Sequence, residues 1–176
     1  YTVNGSTPNN ASTVYAGPIN INSTTVLKAI VYSPDPILSK VAKTVTDFDF
    51  SLLESVEDMT VLMFQHNGVG IAAPQVGELK RIIAFMPIES AIEYPKPPKI
   101  LVNPIIYDHS KEFSEDWEGC LSLPGLTVNI SRPKWIDVHA QDEYGNEFEE
   151  RYLNLASRVI QHEINHLDGI LISKYT

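Results

Sequence analysis

The chain has 176 residues, enough for one well-buried domain, and its 43% hydrophobic and 20% charged content argues against a disordered chain. A formal charge of −9 argues against a general nucleic-acid-holding surface, because phosphate contacts need clustered Lys and Arg. The single cysteine, Cys120, excludes an internal disulfide, and no apolar run approaches the roughly 18 residues that span a bilayer.

From Tyr1 to Leu27 there is no charged residue, and the segment is rich in Asn, Ser and Thr. It lacks the cationic start of a secretory signal and the arginines of a transit peptide. It is read as a polar extension over 1–26, with one folded domain over 27–176. "YSPDPILSK" (32–40) is a proline-punctuated lead-in, each proline turning its predecessor away from helix. "DFDFSLLESVEDMTVLMFQHNG" has helical periodicity, with Leu52, Val56, Met59 and Met63 on one side. Asp49 is its expected N-cap, Gly68 its expected terminator, and the methionines its core filler. Strands are expected at 81–88, 100–107 and 135–142, with "YPKPPK" (94–99) as a surface loop. A hairpin turning at Tyr144–Asn146 follows. "NLASRVIQHEINHLDG" closes the chain as a second helix, with Gly169 just past its end. Strands in runs between two helices predict an α+β fold.

The second helix carries His162-Glu163 and His166, the pattern HExxH. Positions four apart share a helix face, so both imidazoles can reach one ion. Leu155 and Val159 extend the same line, which places the histidines on the expected buried side. Two buried histidines without a partner would be costly, which favours a ligand. Glu163 is placed to act as general base toward an activated water. A catalytic metal needs a third protein ligand and one open position. Downstream of His166 the only carboxylate is Asp168, too close along the helix end to share the ion, so the third ligand is sought upstream. The candidates are Cys120, His66, His109, His139 and many carboxylates. His139 alternates in a strand, His66 ends a helix, and His109 sits in a polar stretch. Cys120, beside a glycine in "WEGCLSLPG", ranks first, against its plain reading as a small buried hydrophobe.

Three stretches, "GVGIAAPQVG" (68–77), "EGCLSLPG" (118–125) and "QHEINHLDG" (161–169), resemble in order and spacing the signature motifs of the peptide deformylases. The likeness runs from about Leu27 to Tyr175. It implies antiparallel β-sheets packed around a central C-terminal helix that carries HExxH. It implies a metal held by Cys120, His162 and His166, with iron(II) the usual ion and nickel, cobalt or zinc as substitutes. The implied reaction is hydrolysis of the formyl group from N-terminal formyl-methionine of nascent polypeptides. Glu163 would accept the water proton and return it to the departing amine. The Gln75 amide and the Leu121 backbone N–H would hold the oxyanion, where one lost donor costs about 2.7–4 kcal/mol. By position, Val69, Leu155, Arg158 and Val159 would line the methionine pocket, Gly70 would meet the extended peptide, and Gly119 would also bind substrate. Glu118 and Arg132 are a candidate buried ion pair, and Arg158 has the plain reading of a solvated helix charge.

One departure stands out: many relatives carry Asp where this chain has Asn165. Asn keeps hydrogen-bonding capacity and loses a charge, so Asn165→Asp is expected to keep activity. Two rival readings are a zincin-like endopeptidase, which lacks its downstream ligand here, and a non-enzymatic peptide binder, in which Gln75, Cys120 or Glu163 would be eroded. The resemblance further implies nascent formylated peptides and, transiently, the ribosome as partners. No nucleic-acid or membrane binding is expected. The expected state is a monomer, in the cytoplasm or in an organelle of bacterial ancestry.

Overall fold

The computed structural model describes residues 29–87 and 97–176. The polar extension at 1–26 and the first half of the "YPKPPK" loop, 94–96, lie outside them. Asp35 accepts from Ile37 N at 2.9 Å and starts a short 3-10 turn, Pro36–Ser39, which buries Leu38.

Helix α1 spans Phe50–Gln65, and Asp49 caps it by accepting from Leu52 N at 3.2 Å. Met59 and Met63 are fully buried on its inner face. Its end differs from expectation. The residue in the left-handed region is Asn67 (φ 54°), and Gly68 follows it, donating to Met63 O at 2.8 Å. Asn tolerates this conformation because its short amide bonds locally. The closure aims the chain directly into the short strand Gly70–Ala72.

The strands are β1 Gly70–Ala72, β2 Ile82–Phe85, β3 Lys99–His109, β4 Phe113–Gly119, β5 Thr127–Pro133, β6 Trp135–Gln141 and β7 Glu147–Leu153. Lys99, expected in a loop, opens β3. Strands β1, β4 and β5 were not anticipated from sequence. An antiparallel sheet runs β1-β2-β3-β6-β7, and β4 pairs with β5 in a separate two-stranded ribbon. Helix α2 spans Asn154–Leu167.

The sheet's alternation separates two cores. Ile83, Phe85, Ala72 and Leu101 pack with α2 residues Val159, Ile160, Ile164 and Leu167. Ile82, Ala84, Ile71 and Ile100 pack with α1 residues Leu52, Met59, Leu62 and Met63. Each of the larger side chains among them, Val, Leu, Ile, Met or Phe, contributes about 1.5–3 kcal/mol when fully buried. Helix α2 is thus enclosed by the large sheet, by β5 and by the turn after β1.

The end of α2 is fixed twice. Gly169 (φ 69°) donates to His166 O at 3.2 Å, and Ile170 N reaches Asn165 O at 2.8 Å, closing the last turn. A Cβ on Gly169 would also fall 2.6 Å from Ser39 O. Asp168 is paired with Arg81 Nη1 at 2.8 Å, which removes it from any shared ion.

Candidate metal centre and active site

The two helical histidines stand on one face of α2, ring centroids 5.1 Å apart. Opposite them lies Cys120, on the loop leaving β4, with Sγ 3.2 Å from His166 Nε2. The potential ligand atoms of Cys120, His162 and His166 all lie within 4.8 Å of one another. His162 Nδ1 is held 3.0 Å from Glu118 Oε2, which leaves its Nε2 for a ligand. Burial disfavours a charged His162, yet its hydrogen bonds to Cys120 and Glu118 prevail and push its pKa up to about 10. His166 moves the other way, to about 3, through burial first and then the neighbouring charge of His162.

Glu163 supplies an independent test of fit to a metal. Its carboxylate is buried, and Oε2 has no hydrogen-bond partner, as is true of His166 Nδ1. Burial raises the Glu163 pKa to about 7. A buried carboxylate without a partner is costly unless a cation or a polar reactant meets it. One thiolate and two imidazoles form a donor set suited to iron, zinc, nickel or cobalt. The residues fit a divalent metal.

Gln75 is aimed by the backbone of Ala72. Its Oε1 accepts from Ala72 N at 2.8 Å, which turns the amide N–H₂ toward Ser122 Oγ (3.3 Å) and Cys120 Sγ (3.9 Å). The fully buried donor therefore points at the cluster. A cavity of about 430 Å³ opens beside it, lined by Val69, Gly70, Gln75, Gly119, Cys120, Leu121, Leu155, Arg158, Val159, His162 and Glu163. His166 lies behind it, 1% exposed. Every site residue expected from sequence is thus in or against one cavity.

A family model for polypeptide deformylase matches residues 27–176, nearly all of the chain. The chain belongs to the polypeptide deformylase family. It is similar to the peptide deformylase of Caldicellulosiruptor bescii, 43% identical over 82% of each chain. With that of Dictyoglomus thermophilum it shares 45% identity over 78% of this chain and 85% of the relative. The crystal structure of peptide deformylase from Thermotoga maritima is 38% identical and superposes with a TM-score of 0.78 over 85% of this chain and 97% of that one. A second family model, Fn3 associated, matches residues 1–45.

Three positions in this deformylase differ from the sequence expectation. Leu155 does not continue the buried line: it is 42% exposed at the cavity rim. Arg158 is no solvated helix charge. It borders the cavity, but its guanidinium is committed to Glu118 Oε1 (2.7 Å), Ile130 O (2.8 Å) and Ser114 O (2.6 Å). Gly70 has a role beyond meeting a peptide. A Cβ there would fall 2.5 Å from Glu163 Oε1 and 2.6 Å from Val159 Cγ1, so only glycine lets the carboxylate lie against β1. Gly70→Ala is expected to keep its metal and lose at least about ten-fold in kcat/KM by displacing Glu163, as checked by metal analysis and formate release. Unchanged turnover would show that the carboxylate has room to shift.

Glu118 and Arg132 form the buried ion pair, at 2.6 and 2.8 Å, and Arg132 Nη1 also donates to Asn165 Oδ1 at 2.9 Å. Asn165 therefore serves as an acceptor for a guanidinium, a place where Asp would serve equally. Cavity residues that the sequence did not single out are Asn67, Trp117, Leu123, Leu126 and Thr127. Leu123 and Leu126 had a signal, the "SLPGL" run that continues the cysteine motif. Trp117 had none, since a strand was not expected there.

Proposed function

We propose that this chain removes the N-formyl group from the N-terminal formyl-methionine of newly made polypeptides, releasing formate. The observation that carries the reading is the convergence of Cys120, His162 and His166 beside a buried, partnerless Glu163 carboxylate in one peptide-sized cavity. Those three residues would hold one divalent ion, iron(II) in the cell, with zinc, nickel or cobalt as substitutes. The ion, when bound, supplies Lewis acidity: a water nucleophile active near neutral pH and positive charge beside the carbonyl oxygen.

The chain's own residues do the rest. Glu163 takes the proton of the attacking water and passes it to the methionine nitrogen as the C–N bond breaks, so the amine leaves neutral. The Gln75 amide, aimed by Ala72 N, and the Leu121 backbone N–H donate to the developing oxyanion. Val69, Gly70 and Gly119 offer backbone from the edges of β1 and β4, both of which border the cavity, so an extended peptide can lie between them. Leu155, Val159 and the side of Arg158 then meet the methionine side chain.

Residues 27–176 are read as the catalytic domain and 1–26 as a polar extension. No helix among the described residues is long and apolar enough to cross a membrane. The chain is read as a cytoplasmic monomer that meets the ribosome transiently; an organelle of bacterial ancestry is the alternative location. The direct test is formate release from formyl-Met-Ala-Ser by iron-loaded protein under anaerobic conditions. Absence of release with metal bound and Cys120 reduced would overturn the assignment.

A further inference from the structure

The two donors assigned to the oxyanion sit on separate pieces of chain. Gln75 belongs to the 3-10 turn Ala73–Val76 that follows β1. Leu121 belongs to a turn closed by Leu123 N, which donates to Cys120 O at 3.0 Å. Ser122 is the other central residue of that turn, and it is fully buried. The lead-in to the domain joins the two pieces: Val31 N donates to Gln75 O at 2.8 Å, and Ser33 N to Ser122 O at 3.0 Å. Both main chains are thereby held against one segment. Between them runs a single side-chain bond, from Gln75 Nε2 to Ser122 Oγ at 3.3 Å.

We infer that Ser122 is a positioning residue for the reaction: its hydroxyl takes one N–H of the Gln75 amide and so turns the other toward the reacting carbonyl. The inference rests on the deformylation reading of the same site. An amide tied only through Oε1, to Ala72 N, can still pivot about that bond, whereas a second tie at Nε2 fixes its plane. Cys120 Sγ, 3.9 Å from Nε2, is the amide's other neighbour, so the remaining N–H is left for the cluster. Ser122 shares its turn with the Leu121 N–H, so the same bond sets the spacing of the two donors. Ser122 does not line the cavity, and its effect on the reaction passes through Gln75. The oxyanion exists only as the transition state forms, so a loosely aimed donor lowers kcat and leaves KM in place.

The test is a double-mutant cycle on formate release from formyl-Met-Ala-Ser by the iron-loaded full chain, with metal content measured on the same samples. Gln75→Ala, which removes the donor outright, should cost about 100–1,000-fold in kcat. Ser122→Ala, which leaves the donor present and unaimed, should cost about ten-fold, with KM within about two-fold and metal content unchanged. Added to Gln75→Ala, the serine substitution should cost less than about two-fold more, because its only route to the reaction is gone. Nitrogen relaxation of the Gln75 side-chain amide in the zinc-loaded protein gives a readout independent of turnover. Its order parameter should be near about 0.85 in the wild type and fall toward about 0.6 in Ser122→Ala. An equal loss of kcat in both backgrounds, a wild-type kcat in Ser122→Ala, or a mobile Gln75 amide in the wild type overturns the inference and leaves deformylation intact. No formate from the wild type overturns both.

Discussion

Glu163→Gln is expected to lower kcat for formyl-Met-Ala-Ser by at least about 100-fold and to leave one metal per chain in place, since positioned general acid–base groups contribute about 10²–10⁴-fold. The amide matches the carboxylate in size, so the close fit against Gly70 is kept and no cavity opens. None of the three ligand atoms belongs to Glu163, so metal content should be unchanged. What is lost is the only function an amide cannot supply, taking a proton and giving it back. The burial that raises the Glu163 pKa to about 7 also predicts an acid limb in the pH–rate profile, because the base must be ionised to act. A positive ion beside it moves that limb to lower pH. The residual activity of Glu163→Gln should lack the limb. Stopped-flow or coupled formate assays across pH 5–9, with metal analysis of the same samples, check both statements. Retention of a tenth of the wild-type kcat with full metal would remove Glu163 from its assigned role.

The ends of the structure were easier to read in the sequence than its middle, for a physical reason. Both helices advertise themselves locally. Asp49 caps α1 and its methionine stripe is apolar; Gly169 ends α2 and HExxH sets two ligands on one face. Strand β4 was missed because its pattern is inverted, whereas β5 alternates in the ordinary way, with Val128 and Ile130 inward and Thr127, Asn129 and Ser131 outward. The face turned toward α2 carries Glu118 and Arg132, and the outward face carries Phe113 and Trp117, 53% and 66% exposed. Alternation is read by assuming that apolar residues point inward. A strand whose inward side is an ionic network, and whose outward side borders a ligand cavity, defeats that assumption. Strand β1 was missed for want of length, with three residues.

The same contrast runs through the site. The metal ligands were legible because spacing on one helix and three motifs in order carry them. The aim of the Gln75 amide depends on Ala72 N, and the need for glycine at 70 depends on Glu163, 93 residues later; neither is a property of a short stretch. The resemblance puts Arg158 at the pocket, and its plain reading is a solvated helix charge, because a helical arginine is usually solvated. Its commitment to Glu118, Ile130 and Ser114 exists only once β4, β5 and α2 have met.

That meeting point sets the second large effect. Glu118→Gln should destabilise the protein by about 3–5 kcal/mol, the usual cost of stripping one partner from a buried ion pair. It should also weaken metal binding by about 10–100-fold, as expected when the group orienting a metal-binding His is lost. Glu118 accepts from Arg132 through both oxygens, from Arg158 at 2.7 Å, and stands 3.0 Å from His162 Nδ1. Either orientation of a Gln amide turns its N–H₂ toward one of these donors, and two guanidinia, 6% and 8% exposed, lose their carboxylate. Burial alone would raise the Glu118 pKa, but hydrogen bonds from Arg132 and His162 outweigh it and hold the group at about 2. A carboxylate with a folded pKa below its unfolded value of 4.5 adds stability that is present above that value and is lost as pH falls toward 2. The wild type should therefore lose stability steeply across that window, and the Gln variant, already without the interaction, should lose less. Urea unfolding at pH 7 and pH 3, with chelator competition for the metal, measures all three quantities. A Glu118→Gln variant within 1 kcal/mol of the wild type at pH 7, with unaltered metal affinity, would show that the arginines find other partners. The same network would then be padding around His162 and not its support.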